Sequence, residues 1–309
     1  MATLTLPLSA SELCAAVRHA QPFDAARLDR VLRVDASRGF AETQSSTTWS
    51  SLAAHLHPGD AAMRAAWAGY GTVAEGVAEN VAGPDGRPVV AHVECIALVT
   101  ADGELRRVGR GSDLFALAAG GHGLFGSPYS VTLRLESFAR AAIDVAPPAA
   151  LALPCAEGAA RPAHFLVPPE SCDPFLAEAR ARCAEWRVAI QAAQARRTLP
   201  EEETLLRWAR REYAAVTLQL AELPTLGGAV RATQLRRQLI DLAIAHGGSF
   251  PIARTPEATR AQVEACYPEL RRLFAEKRRL DPAERLSNSW YRHHRSLLGR
   301  EECEVRWAR

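Results

Sequence analysis

The side chains able to bind a ligand or react are unevenly spread along this chain. Glycines recur between positions 71 and 126: Gly71-Thr72-Val73, then Asn80 with Gly83, then the run of Gly120, Gly121, His122, Gly123, Leu124, Phe125 and Gly126. Without a Cβ, a glycine lets backbone approach a flat or phosphorylated ligand closely. It equally lets a helix pack tightly on a sheet. Spacing alone leaves both readings open. Near the C-terminus Trp290, Tyr291, His293 and His294 gather aromatic and imidazole groups, which suit stacking on a flat cofactor and proton transfer, or a packed anchor for the chain end. Arg254 follows an apolar run and suits an anion or plain solvation. His55 and His57 have ligand-like spacing but no evident third partner, so no metal site is predicted.

Lys277 is the only lysine in the chain. Beside Arg278 and Arg279 it is expected on a solvated helix face, which leaves little scope for Schiff-base chemistry. The seven cysteines are odd in number, widely spaced and without a C-x-x-C pair. That pattern speaks against a disulfide framework and a zinc site and for a reducing compartment. A net charge of +2 carries no footprint for nucleic acid or an anionic membrane. No stretch reads as a signal peptide or as ~20 apolar residues in a row, so a cytoplasmic protein without a membrane segment is expected.

With 309 residues, 48% apolar and 23% charged, the chain is long enough for two domains. Ser9 with Glu12 reads as a capping box opening an amphipathic helix, 31–34 and 40–44 as a hairpin, and Thr47 or Thr48 and then Asp60 as caps of two further helices. The apolar run 92–100 turns at Asp102-Gly103, the strongest hairpin signal in the chain. Alanine and proline dominate 139–162, which reads as a linker. Beyond it the expected order is strand 164–167, helix 173–186, strand 188–191, a charged helix 201–211, strand 214–220, helix 230–246 and strand 249–252. Apart from the charged helix this is the split βαβ order. Thr255-Pro256 reads as the start of a helix, and Leu270, Leu273 and Phe274 as the apolar face of the next.

Taken in order, these pieces resemble the FAD-linked oxidases of the vanillyl-alcohol oxidase (p-cresol methylhydroxylase, PCMH) superfamily, in the branch near decaprenylphosphoryl-ribose oxidase. The resemblance covers nearly the whole chain. It rests on Leu28 to Asp35 followed by Thr47 to Leu52, on Gly71-Thr72-Val73 with Asn80 and Gly83, and on Gly120 to Leu135. At the C-terminal end it rests on Ala245 to Ser249, Cys266-Tyr267-Pro268, Lys277 to Pro282 and Trp290 to His293. It implies an α+β fold in which a PCMH-type FAD-binding domain, 1–138, is completed by a returning segment, 255–309. A reduced ferredoxin-like cap or substrate domain, 163–254, is inserted after the linker. It further implies FAD lying against Gly71, Thr72, Val73, Asn80, Gly83, Gly121, Gly123, Gly126 and Trp290. Arg254, Tyr291 and His293 would then act on a small alcohol or polyol-like substrate, by hydride transfer to the flavin.

The departures from the family pattern are specific. The glycine-rich loop whose amides cradle the FAD pyrophosphate is reduced to Gln21 to Arg27. Three or four such bonds, at ~1.5–3 kcal/mol each, amount to roughly 5–10 kcal/mol, about four to seven decades of affinity. A Gly-Gly pair is replaced by Ala74-Glu75, a site histidine is missing near Ala82, and Pro128 removes an amide donor. The substrate-side Tyr-His-Arg cluster falls at Arg254, Thr255 and Pro256, and much of the usual substrate domain is absent between Ala146 and Arg161. A flavin-free relative, serving as a binding or non-redox scaffold or as one subunit of an assembly with a protein partner or its own copies, is the second expectation.

Overall fold

The computed structural model describes residues 4–138, 151–152, 159–222 and 225–299. Most of the expected linker lies outside them. The chain divides into two compact units, the first made of Met1–Val145, Glu201–Arg207 and Glu269–Tyr291, the second of Ala146–Pro200, Trp208–Pro268 and Arg292–Arg309. Each is a mixture of helices with one antiparallel sheet.

The first unit opens with α1 (Ala10–Arg18), where Ser9 accepts the Glu12 N–H and Leu13, Ala16 and Val17 are buried. The hairpin β1 (Val31–Asp35) and β2 (Phe40–Gln44) follows. Thr48 caps α2 (Trp49–Leu56) and Asp60 caps α3 (Ala61–Ala66), each side chain accepting an otherwise orphaned N–H. Thr72 and Glu75 form a capping box on α4 (Val73–Glu79), which ends on Asn80 in the left-handed region. β3 (Val93–Val99) and β4 (Leu105–Gly109) pair across the Asp102-Gly103 turn. Ser112 caps α5 (Asp113–Ala118), and β5 (Ser127–Arg134) enters the middle of the sheet. The strand order is β1-β2-β5-β3-β4. Trp49 stacks on Trp67 at 4.7 Å, Phe138 lies 5.1 Å from Trp67, and Leu52, Val77, Ile96, Phe115 and Val131 complete the core. Burying each such side chain stabilises the unit by about 1.5–3 kcal/mol.

In the second unit β6 (Leu151–Ala152), β7 (Ala159–Val167), α6 (Cys172–Glu185), β8 (Ile190–Thr198), β9 (Tyr213–Glu222) and α7 (Leu226–Ala245) give a sheet of order β6-β8-β9-β7. β9 is antiparallel to both β7 and β8 and lies between them, the arrangement of a split βαβ unit. Phe165, Val167, Phe175, Ala179, Val216, Leu218, Leu235 and Leu239 are buried. The strand expected at 249–252 is reduced to one bridge, Ser249 with Leu166. Pro251 has no N–H to extend the ladder, and Ile252–Arg254 winds into a 3₁₀ turn. α8 (Arg260–Cys266) starts later than Thr255-Pro256 suggests, because Thr259 and Gln262 satisfy each other's backbone donors in a capping box. Thr255 is instead buried and donates to the Pro251 carbonyl at 2.9 Å.

Two expectations are corrected here. The charged helix at 201–211 does not form. Glu201 is buried, and its carboxylate turns back to accept the N–H groups of Glu203 (2.6 Å) and Thr204 (3.0 Å) and the Thr204 hydroxyl (2.5 Å). Side chains that capture nearby backbone donors compete with a helix. Lys277, expected in solvent, is fully buried in α9 (Leu270–Leu280). It falls seven residues after Leu270, on the same stripe as Leu273 and Phe274, donates to the Leu124 carbonyl at 2.9 Å and pairs with Asp281. Arg278 and Arg279 are exposed. α10 (Ser289–Leu298) is the last described helix. No helix among the described residues is long and apolar enough to cross a membrane.

Candidate functional site

Three separate stretches of the chain meet in the first unit. The segment after Phe23 supplies Asp24, Ala25 and Ala26, the start of α4 supplies Thr72, Ala74 and Glu75, and the start of β5 supplies Ser127 and Pro128. With Ser45 and Ser46, just beyond β2, they line a cleft of about 390 Å³. That volume lies within the ~300–1,000 Å³ of small-ligand pockets.

The donors around this cleft are largely committed. Asp24 N–H goes to the Thr5 carbonyl (2.9 Å), Ser45 N–H to Tyr129 (3.1 Å), Ser46 N–H to Leu28 (2.8 Å) and Ala74 N–H to Ser45 (2.9 Å). Ala26 N–H is taken by Asp24 Oδ1 at 2.9 Å, Thr72 N–H by Glu75 Oε2 at 2.9 Å and Glu75 N–H by Thr72 Oγ1 at 3.2 Å. Pro128 has none to offer. No arginine, lysine or histidine is among the lining residues, while two carboxylates are. A diphosphate is bound by free amides and cations. These residues do not fit one.

One buried hydroxyl in the lining has no partner. Ser45 is 2% exposed, and its Oγ has no hydrogen-bond partner in the protein. Nothing in the spacing around Ser45 marks it, because the strand end and the loop that face it are distant in sequence. Asp24 lies within Gln21 to Arg27, the segment the sequence reading singled out and the one signal that pointed toward it.

The sequence-predicted cofactor residues have the following positions. Gly71 is in the left-handed region (φ 69°), and a Cβ there would sit 2.5 Å from the Glu75 carboxylate. Thr72 lines the cleft, and Val73 is buried in the first turn of α4. Asn80 is fully buried, donates to Glu201 Oε1 at 3.3 Å and accepts the Val90 N–H at 2.9 Å. Gly83 makes a tight turn, its N–H 2.6 Å from the Arg87 carbonyl. An added Cβ at Gly121 would run into the Leu117 carbonyl, and one at Gly126 into the Leu98 side chain. At Gly123 (φ 73°) it would meet nothing within 4 Å. Trp290 stacks on His122 at 3.8 Å and meets Phe274 edge-on. The aromatic segment and the 120–123 turn therefore do come together.

Tyr291, proposed as catalytic, is 1% exposed. Its hydroxyl donates to Glu284 Oε1 at 3.1 Å, and its ring packs edge-on against Phe274. His293 and Arg254 belong to the second unit, and both are exposed. No protein-family model matches this chain, and no curated protein matches it.

The second unit holds a titratable group that the sequence reading passed over. His164 on β7 faces Thr217 on β9, with Nδ1 and Oγ1 3.1 Å apart. Burial, helped by the positive charges of Arg254 and Arg236, pushes its pKa down to about 4. It is a neutral imidazole at physiological pH. Among the described residues no cluster of histidine, cysteine and carboxylate side chains is arranged to hold a metal.

Proposed function

We propose that this chain is a flavin-free binding protein built on the frame of the FAD-linked oxidases, in which the place of the diphosphate has become a cleft for another small ligand. The observation that carries this reading is the donor inventory of the cleft: bonded amides, two carboxylates and no cation. Replacing three or four amide bonds to a charged phosphate by a repelling carboxylate pair removes roughly 5–10 kcal/mol of binding and adds a like-charge penalty. FAD then has no diphosphate anchor in that position.

A second reading, an FAD-dependent oxidoreductase acting on a small alcohol or polyol-like substrate, is favoured by one feature. Residues 269–291 rejoin the first unit and bring Trp290 against the 120–123 turn, as the resemblance implies for a flavin site. If FAD were held there, it would supply the redox chemistry and the chain would orient it.

One experiment separates the two. The purified protein is expected to be colourless, to leave the spectrum of added FAD near 450 nm unchanged, and to return all added FAD on gel filtration. Flavin co-purifying with the protein, or a shifted and quenched FAD spectrum, would overturn the first reading.

A further inference from the structure

The same cleft, on the reading that it does not take a diphosphate, has a chemistry of its own. We infer that it receives a small hydroxylated amine, an ammonium group on a polyol or amino-sugar frame.

The sign of the ligand follows from the lining. The Asp24 carboxylate uses Oδ1 on the Ala26 N–H, and Glu75 uses Oε2 on the Thr72 N–H, so each keeps an oxygen for a donor. Ser46 commits its hydroxyl proton to the Ala25 carbonyl at 2.8 Å and keeps lone pairs. With no lysine, arginine or histidine in the lining to neutralise them, the carboxylates favour a cation that donates hydrogen bonds.

The ligand's shape follows from the remaining groups. Ser45 lines the cleft, and its Oγ is buried and without a protein partner. A buried hydroxyl left in that state is costly, and a ligand hydroxyl satisfies it. Thr72 Oγ1 accepts the Glu75 N–H and still has a proton to give. Ala25, Ala26, Ala74 and Pro128 offer apolar surface for the carbon face of a small ring. Among the described residues no three histidine, cysteine or carboxylate side chains gather to hold a metal ion.

Glucosamine is the probe, titrated into the full chain by calorimetry, with N-acetylglucosamine and inorganic pyrophosphate as controls. Glucosamine is expected to bind, and N-acetylglucosamine, which lacks the charge, at least tenfold more weakly. The Asp24→Asn/Glu75→Gln double variant keeps the oxygens that cap the chain and is expected to lose tenfold or more for glucosamine without losing its fold. Ser45→Ala removes a buried unpartnered hydroxyl. It is expected to weaken binding about fivefold while leaving Tm unchanged or raising it.

No glucosamine binding, equal affinity for the N-acetyl compound or in the double variant, or tighter binding of pyrophosphate would overturn the inference. A Ser45→Ala variant with full affinity would overturn the part played by that hydroxyl, which a buried water would then satisfy. If neither FAD nor glucosamine binds, this inference alone falls. FAD bound with a changed spectrum removes the reading beneath it.

Discussion

At residue scale the lone lysine departs furthest from its expected place. Lys277 and Asp281 form a buried pair in which Asp281 also accepts the N–H groups of Arg285 (3.0 Å) and Leu286 (2.9 Å). Burial pushes the Asp281 carboxyl up, but Lys277 and the two backbone donors outweigh it and hold it below the usual carboxylate range. Its contribution to stability is therefore present above the ordinary carboxylate pKa and lost as pH falls through the lowered value. Removing one partner leaves the other charge buried and alone, so Lys277→Ala is expected to cost about 3–5 kcal/mol, read as a large drop in Tm. His164 works on a different pH window. Its folded pKa of about 4 lies below the ordinary 6.5, so the unfolded chain takes up a proton the folded one refuses as pH falls from 6.5 toward 4. Stability should decline over that interval by about 2 kcal/mol, allowing for partial solvent screening. In His164→Gln the decline between pH 6.5 and 4 is expected to flatten, as measured by Tm against pH; an unchanged slope would remove His164 as its source.

The elements give several of the glycines flagged for a cofactor a packing role of their own. Gly121 and Gly126 sit where a Cβ would strike the Leu117 carbonyl and the Leu98 side chain, whereas Gly123 has open space and only its positive φ to defend. Overpacking costs about 1–3 kcal/mol, and a left-handed non-glycine residue about 1–2. Thermal melts should rank Gly121→Ala and Gly126→Ala below Gly123→Ala. A ligand-contact role would instead leave Tm alone and change affinity. Local signals read directly from the sequence did set many element boundaries: Ser9, Thr48 and Asp60 cap the helices they were expected to cap, and Asp102-Gly103 turns the expected hairpin. The failures at 201–211 and Thr255 have separate local causes. The Glu201 carboxylate takes the N–H groups of Glu203 and Thr204, whereas the Thr255 hydroxyl goes to the Pro251 carbonyl and the Thr259/Gln262 box starts the helix four residues later.

For the whole molecule, the path of the chain between units is the central fact. The first unit is completed by 201–207 and 269–291, which bring Glu201 to Asn80, Lys277 to Leu124 and Trp290 to His122. A fragment ending at residue 145 lacks all three, and it is expected to show no cooperative thermal transition by circular dichroism while the full chain does. A cooperative melt of that fragment would mean these contacts are dispensable. What the sequence determined by itself was whatever depends on neighbours within a few positions: caps, turns, the alternation of strands and the α+β order, because those energies are settled by residues close along the chain. Which groups share a cleft, whether the one lysine is buried and which glycine supports packing were decided only by the tertiary structure. Asp24, Ser45, Glu75 and Pro128 lie far apart in sequence, and the burial, charge balance and unspent donors they create together exist only once the sheet and its helices have brought them into one place.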